Sequence, residues 1–222
     1  MLYDVGVGRR AIWAHLGLPR SDGIPLQKDS IAKRVIDVSL SACALLCLSP
    51  LLLLVACIIK LESRGPVLFR QVRNGKSGKT FEILKFRSMT FERNAVFKQC
   101  EPSDTRITAF GKFLRKSSID ELPQLINVLR GDMSLVGPRP HPVELDLQFA
   151  NVLPNYMARY VVRPGMTGWA QVLGLRGPTQ TSKIMAARLV ADSEYIRRWS
   201  LGFDLLIIAR TVPALLFPDR AY

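Results

Sequence analysis

Residues 38–59 form a run of 22 residues without a charge, and this constrains the fold first, since about 20 apolar residues suffice for a hydrocarbon core of roughly 30 Å. Ser49-Pro50 stands at its centre. Proline has no N–H to donate, and its ring presses on the carbonyl four residues back, at Leu46, so the sequence predicts a helix that kinks or reverses there. Taken separately, residues 38–49 and 50–59 reach only about 15–18 Å at ~1.5 Å per residue, half a bilayer each.

Lys28, Lys33 and Arg34 precede the run, with Arg9, Arg10 and Arg20 further out; Lys60, Arg64, Arg70, Arg73, Lys76 and Lys79 follow it. Asymmetry in Lys and Arg orients a span, and here both ends read as cytoplasmic. Two topologies stay open on these residues: a re-entrant hairpin that enters and leaves by one face, and a Pro-kinked span packed against other structure. The run starts too far from residue 1, and is too poor in a small-residue cleavage site, to be a removable signal peptide.

The 222 residues allow one catalytic unit plus a membrane element. Lys and Arg number 31 against 18 Asp and Glu, a net charge of +13, which calls for an anionic partner: phospholipid headgroups, nucleic acid or a phosphorylated substrate. Anionic phospholipid alone can use such an excess, at roughly 1 kcal/mol per basic residue near the surface. No aromatic-interleaved basic motif or DNA-binding module is present, so nucleic acid is not expected as a partner. Three of the four cysteines, Cys43, Cys47 and Cys57, lie in the apolar run and Cys100 stands alone. Without a C-x-x-C pair, neither zinc nor a disulfide framework is indicated.

Residues 1–30 mix Gly, Pro, Arg and scattered apolar groups without a lasting period and read as an extension. Past Gly65-Pro66, the β-prone runs 67–72 and 80–86 flank Asn74-Gly75-Lys76-Ser77-Gly78, predicting a hairpin with a basic tip that lacks the P-loop pattern. Helical spacing recurs over 107–115 and from about 122 to 129, with Gly131 as a stop. Between them, Ser118 and Glu121 have capping-box spacing and Pro123 suits a first turn. Asp120 and Glu121 are therefore expected at a helix N-terminus, either as caps that complement the dipole or as chemistry.

Two Pro- and Gly-dense stretches, 136–140 and 163–169, each offer rigid backbone, exposed amides and an arginine, suited to an anion or to a structural turn. Residues 184–199 read as an amphipathic helix. Residues 201–217, apolar but interrupted by Asp204, Arg210 and Pro213, read as a helix lying on the interface rather than spanning it. Tyr195 and Trp199, one turn apart, suit either the headgroup level or a helix pair packed in the core.

Taken in order, these motifs resemble a known family: Lys33-Arg34-x-x-Asp37, the apolar run with Ser49-Pro50, Leu84-Lys85-Phe86-Arg87-Ser88-Met89, Asp120-Glu121-Leu122-Pro123-Gln124-Leu125, Gly131-Asp132-Met133-Ser134, Val136-Gly137-Pro138-Arg139-Pro140 and Arg163-Pro164-Gly165-Met166-Thr167-Gly168-Trp169. The family is the monotopic bacterial sugar transferases, the polyprenyl-phosphate phosphoglycosyl transferases that begin exopolysaccharide, O-antigen and glycoconjugate synthesis. The match runs from about residue 31 to 210 without a missing block. It is to the short catalytic form rather than to members with a large multi-helix N-terminal region.

The resemblance implies a small mixed α/β catalytic domain with amphipathic interfacial helices, anchored by one re-entrant membrane helix broken at Ser49 and Pro50, on the cytoplasmic face of the bacterial inner membrane. Residues 1–30 are then an N-terminal extension, 31–62 the membrane helix and 63–222 the catalytic domain. The implied reaction has two steps: Asp120 attacks the β-phosphorus of a UDP-sugar and UMP leaves, then the phosphosugar passes to undecaprenyl phosphate. Asp120 and Glu121 become the catalytic pair and the holders of Mg²⁺. Lys85, Arg87, Arg115, Arg139 and Arg163 are assigned to substrate phosphates, and Asp192 to ordering the site.

These residue types suit the chemistry. A carboxylate attacks a diphosphate only where charge is neutralised by cations, and adjacent acids without a His or Cys cluster suit Mg²⁺ better than zinc. Residues 174–179 are similar to enzymes that transfer glucose 1-phosphate or galactose 1-phosphate. The implied partners are a UDP-sugar donor, undecaprenyl phosphate and anionic phospholipid, with room for a homo-oligomer and downstream glycosyltransferases. A rival reading is a non-catalytic membrane-anchored scaffold of a polysaccharide assembly, motivated by the basic flanks and the amphipathic C-terminal helix.

Overall fold

The computed structural model describes residues 30–91, 104–175, 177 and 181–216; nearly all of the expected extension, Cys100 and half of the 174–179 stretch lie outside them. Helix α1 (Ile31–Glu62) starts at Ser30, whose hydroxyl accepts from the Lys33 N–H, and carries on through Pro50. Pro50 leaves the Leu46 carbonyl without its usual intrahelical donor, and Ser49 Oγ supplies one at 2.8 Å. The Ser-Pro pair therefore interrupts the ladder without stranding a carbonyl in an apolar medium.

Helix α1 is long and apolar enough to cross a membrane, and its apolar window is only 11% buried, unlike a core helix. Its two ends make the contacts. Near the start, Arg34 donates to the Val128 and Leu129 carbonyls at 2.6 and 2.8 Å, and Asp37 accepts from the Leu135 N–H at 3.0 Å. Near the end, buried Val55 and Ile59 pack with Phe86 and Leu114.

The expected hairpin forms from β1 (Leu68–Asn74) and β2 (Thr80–Phe86), antiparallel from Leu68↔Phe86 to Asn74↔Thr80 around a tip at Lys76–Gly78. Helix α2 (Ala109–Lys116) starts at Thr108, whose hydroxyl accepts from the Gly111 N–H. Helix α3 (Gln124–Arg130) stops at Gly131, whose φ of +91° suits a residue without a Cβ. Fully buried Asn127 on α3 acts as a stand-in for a neighbouring strand. Its Oδ1 accepts from the Leu84 N–H at 2.9 Å and its Nδ2 donates to the Glu82 carbonyl at 2.7 Å.

Of the two Pro- and Gly-dense stretches, for which the sequence left an anion site or a turn open, the first follows directly on β3 (Ser134–Val136) and the second contains β4 (Gly165–Thr167), and these two short strands pair in parallel. The pairing crosses so closely that a Cβ on Gly165 would lie 2.1 Å from the Gly137 nitrogen. After β3 come α4 (Val143–Ala150), a 3-10 segment at Tyr156–Val161 and, past β4, α5 (Trp169–Val172). Helices α6 (Ser182–Arg198) and α7 (Leu201–Leu216) cover the β3–β4 pair, burying Val136, Val162, Tyr195, Ile196, Phe203 and Ile207 together. Tyr195, at 2% exposure, belongs to this core and not to a headgroup layer. The fold is thus mixed α/β, with two two-stranded sheets among the described residues.

Replacing Asn127 with alanine is expected to lower stability by about 2–4 kcal/mol, because the Leu84 N–H and Glu82 carbonyl lose their partner in a buried setting. Thermal unfolding of the detergent-purified protein reads this directly; a shift no larger than that of a surface Ala substitution would remove the strand-mimic role.

Candidate active site

Ser118 adopts a left-handed φ of 57° and makes no side-chain cap bond, after which the chain turns through a 3-10 segment at Ile119–Glu121. The expected capping box does not form. Asp120 and Glu121 project from a tight turn, and α3 begins only at Gln124. The physical reason is the competition for Glu121, since charge-assisted bonds to cations outweigh a bond to one neutral backbone amide.

Those cations come from two other segments. Lys85 on β2 places Nζ 2.7 Å from Glu121 Oε1. Arg139, in the loop after β3, donates through Nη1 to Glu121 Oε2 at 2.9 Å and through Nη2 to Oε1, a bidentate fork. The Glu121 side chain is 21% exposed, Lys85 18% and Arg139 35%, so the cluster is largely buried but reaches solvent.

The adjacent carboxylates are driven apart electrostatically. Burial alone would push Glu121 up, but the Arg139 and Lys85 charges and hydrogen bonds hold it well below the usual carboxylate range. Asp120 goes the other way, to about 6, because loss of solvent outweighs the pull of Lys85 and the Glu121 charge adds to the rise. No described residue bonds to the Asp120 carboxylate. Arg115, exposed at the end of α2, acts on it through charge.

A deeper layer holds Arg139. Arg159 donates to the Arg139 carbonyl at 2.9 Å and pairs with Asp192 at 2.7 Å, both side chains being almost fully buried. Arg159 also donates to His141 Nδ1 at 2.6 Å. Burial and then the Arg159 charge hold His141 well below its ordinary pKa, hence neutral. Asp146 accepts from Asn74, Tyr156 and Tyr160 at 2.6–2.8 Å. Apart from Asp192, these residues carried no recognisable motif in the sequence, since isolated Tyr, His and Arg at irregular spacing look like any core.

Of the sequence-predicted residues, Asp120, Glu121, Lys85 and Arg139 come together, with Arg115 beside them and Asp192 behind. Arg87 is placed differently from the phosphate-binding position expected of it. Its guanidinium donates to the Ile59, Ser63 and Arg64 carbonyls at 2.7–3.1 Å, closing the end of α1. Arg163 donates to the Gly131 carbonyl at the end of α3.

Among the described residues no group of three or more His, Cys, Asp or Glu converges. The donor set still fits Mg²⁺, which keeps several waters and is held by one or two carboxylates plus substrate phosphates: among the described residues, Asp120 is uncommitted and Glu121 Oε2 accepts only from Arg139 Nη1.

Residues 28–218 match the profile of the bacterial sugar transferase family. The chain belongs to that family. A relative from Caulobacter vibrioides, named UDP-glucose:undecaprenyl-phosphate glucose-1-phosphate transferase, is 52% identical over 220 residues, 99% of this chain and 81% of that protein. A protein of the same name from Escherichia coli (strain K12) is 45% identical over 208 residues, 89% of this chain but 45% of its own length. An Aeromonas hydrophila relative, named UDP-N-acetylgalactosamine-undecaprenyl-phosphate N-acetylgalactosaminephosphotransferase, is 45% identical, covering 83% of this chain and 43% of that protein. This bacterial sugar transferase thus spans less than half the length of the latter two.

The raised Asp120 pKa has a stability consequence. A carboxyl whose folded pKa lies above its unfolded value of 3.8 destabilises the fold when ionised, a cost fully present above about pH 6 and lost as pH falls toward 4. Asp120→Asn should therefore stabilise the protein at pH 7.5 by on the order of 1 kcal/mol after allowance for partial exposure, and by less at pH 5. Melting curves at the two pH values test this; equal shifts at both would contradict it.

Proposed function

We propose that this chain transfers a hexose 1-phosphate, glucose or galactose, from a UDP-sugar to undecaprenyl phosphate through a covalent phosphosugar on Asp120, releasing UMP, as the first step of an exopolysaccharide- or lipopolysaccharide-type glycan. The observation that carries this reading is the split pair: Glu121 is held ionised by Lys85 and Arg139, while Asp120 beside it is uncommitted with a pKa near 6. Adjacent acids tuned apart have separate roles. The relatives named for glucose-1-phosphate transfer that align over 89% or more of this chain make glucose the first donor to test.

In the first step, an ionised Asp120 oxygen attacks the β-phosphorus, the bond from that phosphorus to the oxygen bridging it to the α-phosphorus breaks, and UMP departs with that oxygen. In the second, an oxygen of undecaprenyl phosphate attacks the same phosphorus and the Asp120 carboxylate is restored. No proton needs to move at Asp120 in either step. Lys85 has three N–H donors and gives one to Glu121, so it can also hold a phosphate oxygen. Mg²⁺ held by Asp120 and Glu121 would neutralise phosphate charge that a carboxylate must approach.

We further propose that α1 enters and leaves by the cytoplasmic face of the inner membrane. Supporting this, Arg34 and Asp37 near one end and Val55 and Ile59 near the other dock on the same domain. A spanning helix would have to put parts of that one domain on opposite faces of the bilayer.

Intact-protein mass spectrometry of detergent-purified chain with Mg²⁺ and UDP-glucose or UDP-galactose, without acceptor, should reveal a hexose-phosphate adduct on the wild type and none on Asp120→Asn. UMP release by the variant should fall at least ~10³-fold. Full UMP release by Asp120→Asn would sink the reading and leave the scaffold alternative. Because the nucleophile must be ionised, adduct formation should slow as pH falls through the Asp120 pKa, about 6 without metal and lower once Mg²⁺ is bound; a rate that rises on acidification would remove Asp120 from that role.

A further inference from the structure

Arg73, near the end of β1, has no part in the reading above, yet it is built into the same site. Its Nη1 donates to the Pro140 carbonyl at 3.1 Å and its Nη2 to Gln71 Oε1 at 2.6 Å, and its backbone bridges to Pro142. The guanidinium is thus fastened to the residue that follows Arg139. Two of its five N–H donors are used in these bonds. Among the described residues no Asp or Glu pairs with it; the nearest acidic influences, Asp146 and Glu121, each already accept from several other donors.

A half-buried guanidinium beside a second guanidinium, without its own carboxylate, is costly unless an anion joins them. The charges around the turn make the same point. Lys85, Arg73, Arg115 and Arg139 outnumber the acids that act on them, Asp120, Glu121 and Asp146, which favours an anionic ligand.

The order of these groups suggests which phosphate Arg73 meets. Arg73 is tethered to the Pro140 carbonyl beside Arg139, Arg139 forks onto Glu121, and Asp120 is the neighbouring residue of the turn, so Arg139 and Glu121 link Arg73 to Asp120. In-line displacement puts the leaving oxygen opposite the attacking one. We infer that Arg73 binds the α-phosphate, the phosphate that leaves as part of the nucleoside monophosphate. The inference rests on Asp120 attacking the β-phosphorus.

The test is calorimetric titration of UMP into the full chain in detergent, comparing wild type with Arg73→Gln and Arg73→Lys, alongside the rates of adduct formation and discharge. Arg73→Gln should weaken UMP binding about 10- to 100-fold, the range for a charge-assisted hydrogen bond. Arg73→Lys, which keeps the charge without the fork, should fall between, and it carries the test if the glutamine variant fails to fold. Adduct formation should slow, while discharge of the preformed adduct to undecaprenyl phosphate should match wild type, because UMP has already left. Unchanged UMP affinity in both variants, or an equal loss in both steps, would overturn the assignment. Failure of the parent reading looks different: the wild type itself would form no adduct, whatever its affinity for UMP.

Discussion

The clamp of Arg139 and Lys85 on Glu121 is the contact on which the rest of the site depends. It joins β2, the turn after α2 and the loop after β3 through one carboxylate. Without it, two adjacent, partly buried acids would compete for a single proton, and which of them titrated would be undefined. Two cations on one acid resolve the competition. Glu121 becomes a fixed part of the electrostatic framework, and Asp120 is left as the group free to react.

The same framework reaches the membrane helix through β3. The Val136 carbonyl accepts from Lys33 Nζ and from Tyr195 Oη, both at 3.1 Å, while the Leu135 N–H donates to Asp37. Asp204 on α7 gathers Lys33, Tyr195 and Trp199 at 2.6–3.1 Å. Helices α1, α6 and α7 thus converge on the strand that leads directly into Gly137-Pro138-Arg139. A buried pair such as Lys33–Asp204 adds little net stability relative to apolar packing, but losing one partner leaves the other uncompensated. Its effect here is geometric, fixing α1 relative to the loop that carries Arg139.

What the sequence disclosed follows from how local each signal is. The β1–β2 hairpin, the start of α2 near Ile107 and the stop at Gly131 depend on neighbours in the chain, and they were legible within two residues. The parallel β3–β4 pair was not, because three-residue strands beside Pro and Gly have no periodicity, and their pairing depends on Gly137 meeting Gly165 across the fold. The Ser118–Glu121 capping box had the right spacing and still failed, since spacing says nothing of Lys85 and Arg139 arriving from elsewhere. Asp204 did leave a mark as a charge inside an apolar run, but its partners Lys33, Tyr195 and Trp199 could not be named from that. Arg73 left none, being one basic residue among several in a basic hairpin.

The positive field around the arginine loop also simplifies the site's response to pH. Burial disfavours a positive charge on His141, and the Arg159, Arg188, Arg73 and Arg139 charges add to this, holding it well below its ordinary pKa. Glu121 stays ionised for the opposite reason, since the cations stabilise its charge. Lys85 is lowered by burial, but from a value of 10.5 and with Glu121 opposing the shift. Between pH 5 and 7, Asp120 is therefore the group at this turn whose charge changes. A site that gathers cations for an anionic substrate thereby silences its histidine and leaves one carboxylate to titrate.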